Sequence, residues 1–166
     1  MLLIEALSRG HLREDFTCGK PQLDHYITHL AGQDTKRELA SVFVLVEEDS
    51  PKVIGYYSLS SYSVLLTDLP DGIQKKLGRY PSVPATLLGR LAVSTSRRGQ
   101  HMGEYLLMDA LRRAAGTTRD VASVAVIVDA IDEEAASFYA RFDFQPFASN
   151  PMKLYLPMAT IRALPG

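Results

Sequence analysis

This chain of 166 residues has no tryptophan and one cysteine, Cys18. An internal disulfide is excluded, and the lone thiol fits a reducing compartment. Cys18 beside Gly19 reads either as a reactive thiol or as a loop cysteine without chemistry. Long apolar runs are also missing. Met1-Leu2-Leu3-Ile4 is cut by Glu5 before a signal peptide's apolar region could form, and no uncharged stretch of membrane-spanning length follows. These absences point to a cytoplasmic protein with no membrane partner. Nor does one sign of charge dominate: 18 Lys and Arg face 19 Asp and Glu, which argues mildly against nucleic acid as a partner. Repeats and low-complexity tracts are absent, and residues 1–166 are too few for two ordinary domains, so one domain is expected.

Two stretches of the chain carry chemistry. In the first, the apolar run Leu87-Leu88-Gly89-Arg90-Leu91-Ala92-Val93 leads into Arg98-Gly99-Gln100-His101-Met102-Gly103. Gly103, Leu106, Leu107, Ala110, Leu111 and Ala114 then recur at the spacing of one helical face. The pattern is strand, loop, helix. A helix opening on such a loop offers unpaired N–H groups and the positive end of its dipole to a phosphate or pyrophosphate, with Arg97 and Arg98 adding charge.

In the second, Val124 to Ala130 is a continuous apolar run of the buried-strand type, closed by Asp129-Ala130. Asp132 follows as an N-cap, Glu133 and Glu134 suit the first helical turn, and Ala135, Phe138, Tyr139 and Phe142 line one face. Elsewhere, Ile4–Leu7, Ser41–Val46, Val53–Leu59, Phe144–Phe147 and Leu154–Leu156 read as strands. Pro21 opens a helix whose packed face is Leu23, Tyr26, Ile27, Leu30 and Ala31, and a short helix is expected at Ile73–Leu77 within a Pro- and Gly-punctuated stretch.

The first stretch resembles the acetyl-CoA motif of the GNAT N-acetyltransferase superfamily, Arg/Gln-x-x-Gly-x-Gly, with His101 in place of its middle glycine. The His101 ring can tilt outward or contact a phosphate. Ala136-Ser137-Phe138-Tyr139-Ala140-Arg141-Phe142-Asp143-Phe144 resembles the superfamily's Phe-Tyr helix, with Asp143 where a glycine is usual. Asp enters the left-handed conformation more readily than most residues. The implied fold class is α/β: a mixed, splayed GNAT-like β-sheet flanked by helices. Over nearly the whole chain, Phe16–Gly19, Leu23–Tyr26, Ala31–Asp34, Gly55–Leu59, Leu88–Val93, Val128–Ala130 and Phe138-Tyr139 are similar to the GNAT toxins of bacterial toxin–antitoxin pairs. That resemblance implies acetyl-CoA as cosubstrate, the α-amine of aminoacyl-tRNA as acceptor, and a ribbon-helix-helix antitoxin as partner.

Acyl transfer to an amine requires donors for an oxyanion and an acid for the leaving thiolate. Backbone amides at Leu91, Ala92 and Val93 are the expected donors, and with Arg97, Arg98, Gly99, Gln100, His101, Met102 and Gly103 they form the expected cofactor site. Tyr139 is the expected general acid, its neutral alternative being a core tyrosine with its hydroxyl at the edge. No general base stands out. Asp129 could orient water or a neighbour, or simply form a turn, and an α-amine beside an ester needs less help than a lysine. From Ile73 to Arg119 nine basic residues face two acidic ones, and Lys75, Lys76, Arg79 and Arg90 are the expected RNA contacts, with Tyr80 stacking on a base. Arg112 and Arg113 serve equally well as a solvated helix face. His25 and His29 stand four apart but lack a third ligand, so no metal is expected. Met102, Tyr105 and Met108 form either core or a patch facing cofactor or a homodimer partner.

Overall fold

The computed structural model describes residues 1–165. Its strands are β1 (Leu2–Ala6), β2 (Ser41–Glu47), β3 (Gly55–Leu65), β4 (Ser82–Val93), β5 (Ala125–Asp129), β6 (Gln145–Phe147) and β7 (Asn150–Pro157). Its helices are α1 (Pro21–His25), α2 (Ala31–Lys36), α3 (Asp71–Leu77), α4 (Met102–Gly116), α5 (Glu133–Arg141) and α6 (Met158–Arg162). The strands form one mixed sheet in the order β1-β2-β3-β4-β5-β7-β6. β4 pairs with β5 in parallel over Thr86–Leu88 opposite Val126–Val128, and β4 itself continues to Val93.

The chain divides into two compact units, Met1–Ser60 with Gly89–Ala110, and Ser61–Leu88 with Leu111–Gly166. Gly166, the last residue of the expected domain 1–166, lies outside the described residues. The first unit pairs β1 with β2 and β2 with β3, both antiparallel, and its core joins Val42, Val44 and Val46 of β2 to Tyr56, Ala92, Phe16, Tyr26 and Ile27. β-Branched residues fill β2 because a pleated, buried surface accepts them with little rotamer loss. Gly55 opens β3 where a Cβ would come within 2.9 Å of Leu106 and 3.2 Å of the Ala92 carbonyl, so a strand residue with a side chain would push β3 off its neighbours.

Pro21 starts α1 at its first position. The helix then widens into a π-helical turn, Tyr26–Leu30, where the amide of Ala31 donates to the Tyr26 carbonyl five residues back. That extra residue per turn corrects the expected packed face. Tyr26, Ile27 and Ala31 are buried, but Leu30 is rotated outward and is 40% exposed.

The second unit pairs β7 with β5 and with β6, both antiparallel, around a core of Val64, Val83, Ala85, Ile127, Phe147 and Tyr155, on which Ile73 and Leu77 of α3 pack. β5 is buried along Ala125–Val128, as its continuous apolar run requires. Several expected bounds shift. β3 extends to Leu65, β4 begins at Ser82 inside the stretch read as punctuated, and α6 was not foreseen because five residues carry too little periodicity.

Candidate active site

The expected cofactor loop belongs to the first unit. After Leu91–Val93 the chain makes a 3₁₀ turn, Thr95–Arg97, tied down by Ser94 donating to the Ile54 carbonyl and Thr95 to the Thr17 carbonyl, each at 2.9 Å. Gly99 has φ +75° and His101 φ +59°, so two positions of the loop are left-handed. That is why glycine suits the position His101 occupies: a Cβ there costs about 1–2 kcal/mol. The first helical bond of α4 runs from the Tyr105 amide to the His101 carbonyl at 3.1 Å, leaving the amides of the first turn without a carbonyl one turn back. Their outward N–H groups and the end of a 15-residue helix fit an anionic pyrophosphate. The His101 ring is turned to solvent, 86% exposed, with Nδ1 3.8 Å from the Glu104 carboxylate.

The arginines are placed differently from expectation. Arg97 pairs with Glu47 at 2.7 Å. Arg98 donates to the Cys18 carbonyl at 3.1 Å and lies so close to Gly19, which has φ +89°, that a Cβ there would meet its guanidinium at 2.6 Å. Both therefore brace the loop from below. Arg90 turns inward too, its guanidinium carbon 3.6 Å from the Tyr26 ring centroid. Tyr26 in turn donates to Asp34 at 2.9 Å, and burial followed by that bond pushes its pKa up to about 12. Of the expected RNA contacts, Lys75 and Lys76 on α3 and Arg79 beyond it are exposed, as is Tyr80.

Cys18 answers its two readings. It is buried, its amide donates to Asp24 at 2.8 Å and its thiol donates to the Lys20 carbonyl at 3.6 Å. Burial, reinforced by Asp24, pushes the thiol up to about 11, so it stays neutral and unreactive. His25 and His29 stack with ring centroids 4.7 Å apart, and among the described residues no group of three His, Cys, Asp or Glu side chains could hold a metal. Of the two readings of Met102, Tyr105 and Met108, core packing holds for Met102, which is buried, while Met108 is half-buried and Tyr105 exposed, so the three form no continuous surface.

The second unit supplies the expected acid. Asp132 caps α5, accepting from the Ala135 amide at 2.9 Å, and Glu133 and Glu134 occupy the first turn. Asp143 ends the segment at φ +70°, the left-handed conformation the sequence called for. Between them Tyr139 is only 6% exposed, its ring against Phe138 and Phe144 at 5.2 and 5.4 Å. Its hydroxyl has no hydrogen-bond partner among the described residues. No buried side-chain oxygen or nitrogen among them is left unpaired, so that hydroxyl opens to the surface. Burial raises the Tyr139 pKa, which keeps the phenol protonated.

The sequence reading missed two residues of this unit. Lys153 of β7 stands opposite Asp129 in the β5–β7 register and donates to the Tyr62 hydroxyl. A lone lysine between Met152 and Leu154 in an apolar strand was the available signal.

Residues 7–144 match the acetyltransferase (GNAT) family. The chain belongs to that family. Among GNAT relatives, "Probable toxin TacT" of Sinorhizobium fredii (strain NBRC 101917 / NGR234) is 34% identical over 99% of this chain and 95% of its own length. The "tRNA-acetylating toxin" of Mycobacterium tuberculosis (strain ATCC 25618 / H37Rv) is 34% identical over 91% of this chain and 89% of its own. The structure of AtaT complexed with acetyl-methionyl-tRNAfMet superposes with a TM-score of 0.90 at 26% identity, covering 98% of each chain. No helix among the described residues is long and apolar enough to cross a membrane.

Proposed function

We propose that this GNAT chain is an acetyl-CoA-dependent toxin of a toxin–antitoxin pair that acetylates the α-amine of aminoacyl-tRNA, residues 1–166 acting as one cytoplasmic catalytic domain. The observation that carries this reading is the near full-length likeness to a tRNA-acetylating toxin. Relatives solved with the C-terminus of an antitoxin and with acetyl-CoA support the cosubstrate and the partner, to which we assign a ribbon-helix-helix fold.

In the reaction the amine nitrogen attacks the thioester carbonyl, a C–N bond forms and the C–S bond breaks. Amides of Leu91–Val93, on the part of β4 beyond the Thr86–Leu88 ladder with β5, are the donors assigned to the oxyanion. Tyr139 gives its proton to the departing thiolate. The desolvation that raises the tyrosine pKa also disfavours a bare thiolate beside it, which favours the proton transfer. Loop 97–103 holds the pyrophosphate through backbone amides, with Arg97 and Arg98 fixing its shape. Lys75, Lys76 and Arg79 contact RNA phosphates, whereas Arg90, seated on the Tyr26 ring, is committed to the fold.

Incubating the purified chain with labelled acetyl-CoA and bulk charged tRNA tests this directly. Label in aminoacyl-tRNA that is lost on ester hydrolysis of the tRNA is the expected result. Untouched charged tRNA alongside acetylated lysines or polyamines would overturn it.

A further inference from the structure

Three side chains of the second unit that no step above uses meet at the carboxyl end of β5. The parallel ladder with β4 pairs Leu88 with Val128, and Asp129 is the next residue of β5. Ligands of α/β sheets bind off the carboxyl ends of such strands. Asp129 is not the turn-former it could have been: its carboxylate makes no hydrogen bond to neighbouring backbone among the described residues. Its partner is the Lys153 ammonium, at 3.9 Å, and it remains 55% exposed.

Lys153 is held from several sides. It donates to the Tyr62 hydroxyl, lies 4.9 Å from the Tyr62 ring and 6.0 Å from that of Phe147, and is only 26% exposed. The Tyr62 bond, with Asp129 and Asp68 nearby, raises its pKa, so it stays charged. A fixed cation beside a largely open carboxylate orients that carboxylate without occupying it, since 3.9 Å is too long for a full hydrogen bond. What completes the carboxylate is a donor with positive charge.

We propose that Asp129 receives the ammonium of the acceptor amine, with Lys153 and Tyr62 as positioning residues that hold its carboxylate toward the acceptor. This rests on the N-acetyltransferase reading and names the group that greets the acceptor. The amine docks as a cation on Asp129 and reacts after releasing its proton to water.

The test is steady-state kinetics of acetyl transfer with the amine and acetyl-CoA varied separately. Asp129→Asn should raise KM for the amine about 10–100-fold, the value of a charge-assisted hydrogen bond, with the KM for acetyl-CoA unchanged. Lys153→Met should raise the amine KM several-fold, and Lys153→Arg should restore most of it. An amine KM for Asp129→Asn within twofold of wild type, in a variant that melts normally, would overturn the proposal. Should Asp129→Asn fail to fold, Tyr62→Phe decides: an unchanged amine KM overturns, a raised one supports. A wild-type chain that acetylates no amine would instead sink the acetyltransferase reading itself.

Discussion

The two units treat their buried tyrosines in opposite ways. In the first, Tyr26 donates to Asp34, Tyr56 to the Leu23 carbonyl and Tyr57 to Asp109, at 2.9, 2.6 and 2.6 Å. In the second, Tyr139 and Tyr155 are also buried, though each keeps 6% exposure, and neither hydroxyl has a hydrogen-bond partner among the described residues. A hydroxyl spent on another element works for the fold, because leaving its partner unpaired costs the partner's full desolvation. An unspent hydroxyl at the surface end of a buried ring is available to a substrate. Tyr155 packs edge-on against Phe147 on β7, whereas Tyr139 sits in the Phe-Tyr motif of α5.

The hardest blow to that contrast comes from Tyr139→Phe. It should keep the melting temperature and acetyl-CoA binding while slowing acetylation by ~10²–10⁴-fold, the worth of a general acid. Tyr155→Phe should stay near wild type in both. Equal activity in the two variants would show that an unspent hydroxyl alone marks nothing.

Alkaline unfolding probes the first unit next. The Cys18 thiol is raised from 9.0 to about 11, so its neutral form is favoured by folding. That contribution is complete below the unfolded value and is lost as pH climbs from 9.0 to about 11. Unfolding free energies from urea titrations across this window should fall more steeply with pH for wild type than for Cys18→Ala. Parallel curves would mean the thiol is less enclosed than its packing suggests.

Tyr57→Phe should cost about 1–3 kcal/mol in chemical denaturation, because Asp109 loses a buried donor, while the amine and acetyl-CoA KM values hold. The smallest effect belongs to His101→Gly. Relief of a left-handed residue at φ +59° should gain up to about 1 kcal/mol, with acetyl-CoA binding by calorimetry kept or improved. Weaker binding at low pH only would show that the imidazolium serves a phosphate after all.

Local rules carried far. The Asp132 cap, the left-handed Asp143, Pro21 at a helix start and the buried face of α4 were all legible, because each depends on residues within a turn or two of one another. The loop 98–103 and Tyr139 were legible for the same reason, as motifs on contiguous segments. Leu30 was misplaced because a π-helical turn answers to the packing of Tyr26 and Ile27, not to the period of the sequence.

What the sequence by itself determined is most of the strands and the longer helices, the helix-terminus loop and the tyrosine on α5, since these follow from backbone preferences and apolar period. Only the tertiary structure decided which partner each long side chain meets. Arg97 found Glu47, fifty positions away, Arg98 found the Cys18 carbonyl, Arg90 found the face of Tyr26, and Lys153 found Tyr62. A guanidinium or ammonium on a flexible stem reaches whatever acceptor or ring the fold brings within a few ångströms, and no local pattern in the chain encodes that meeting.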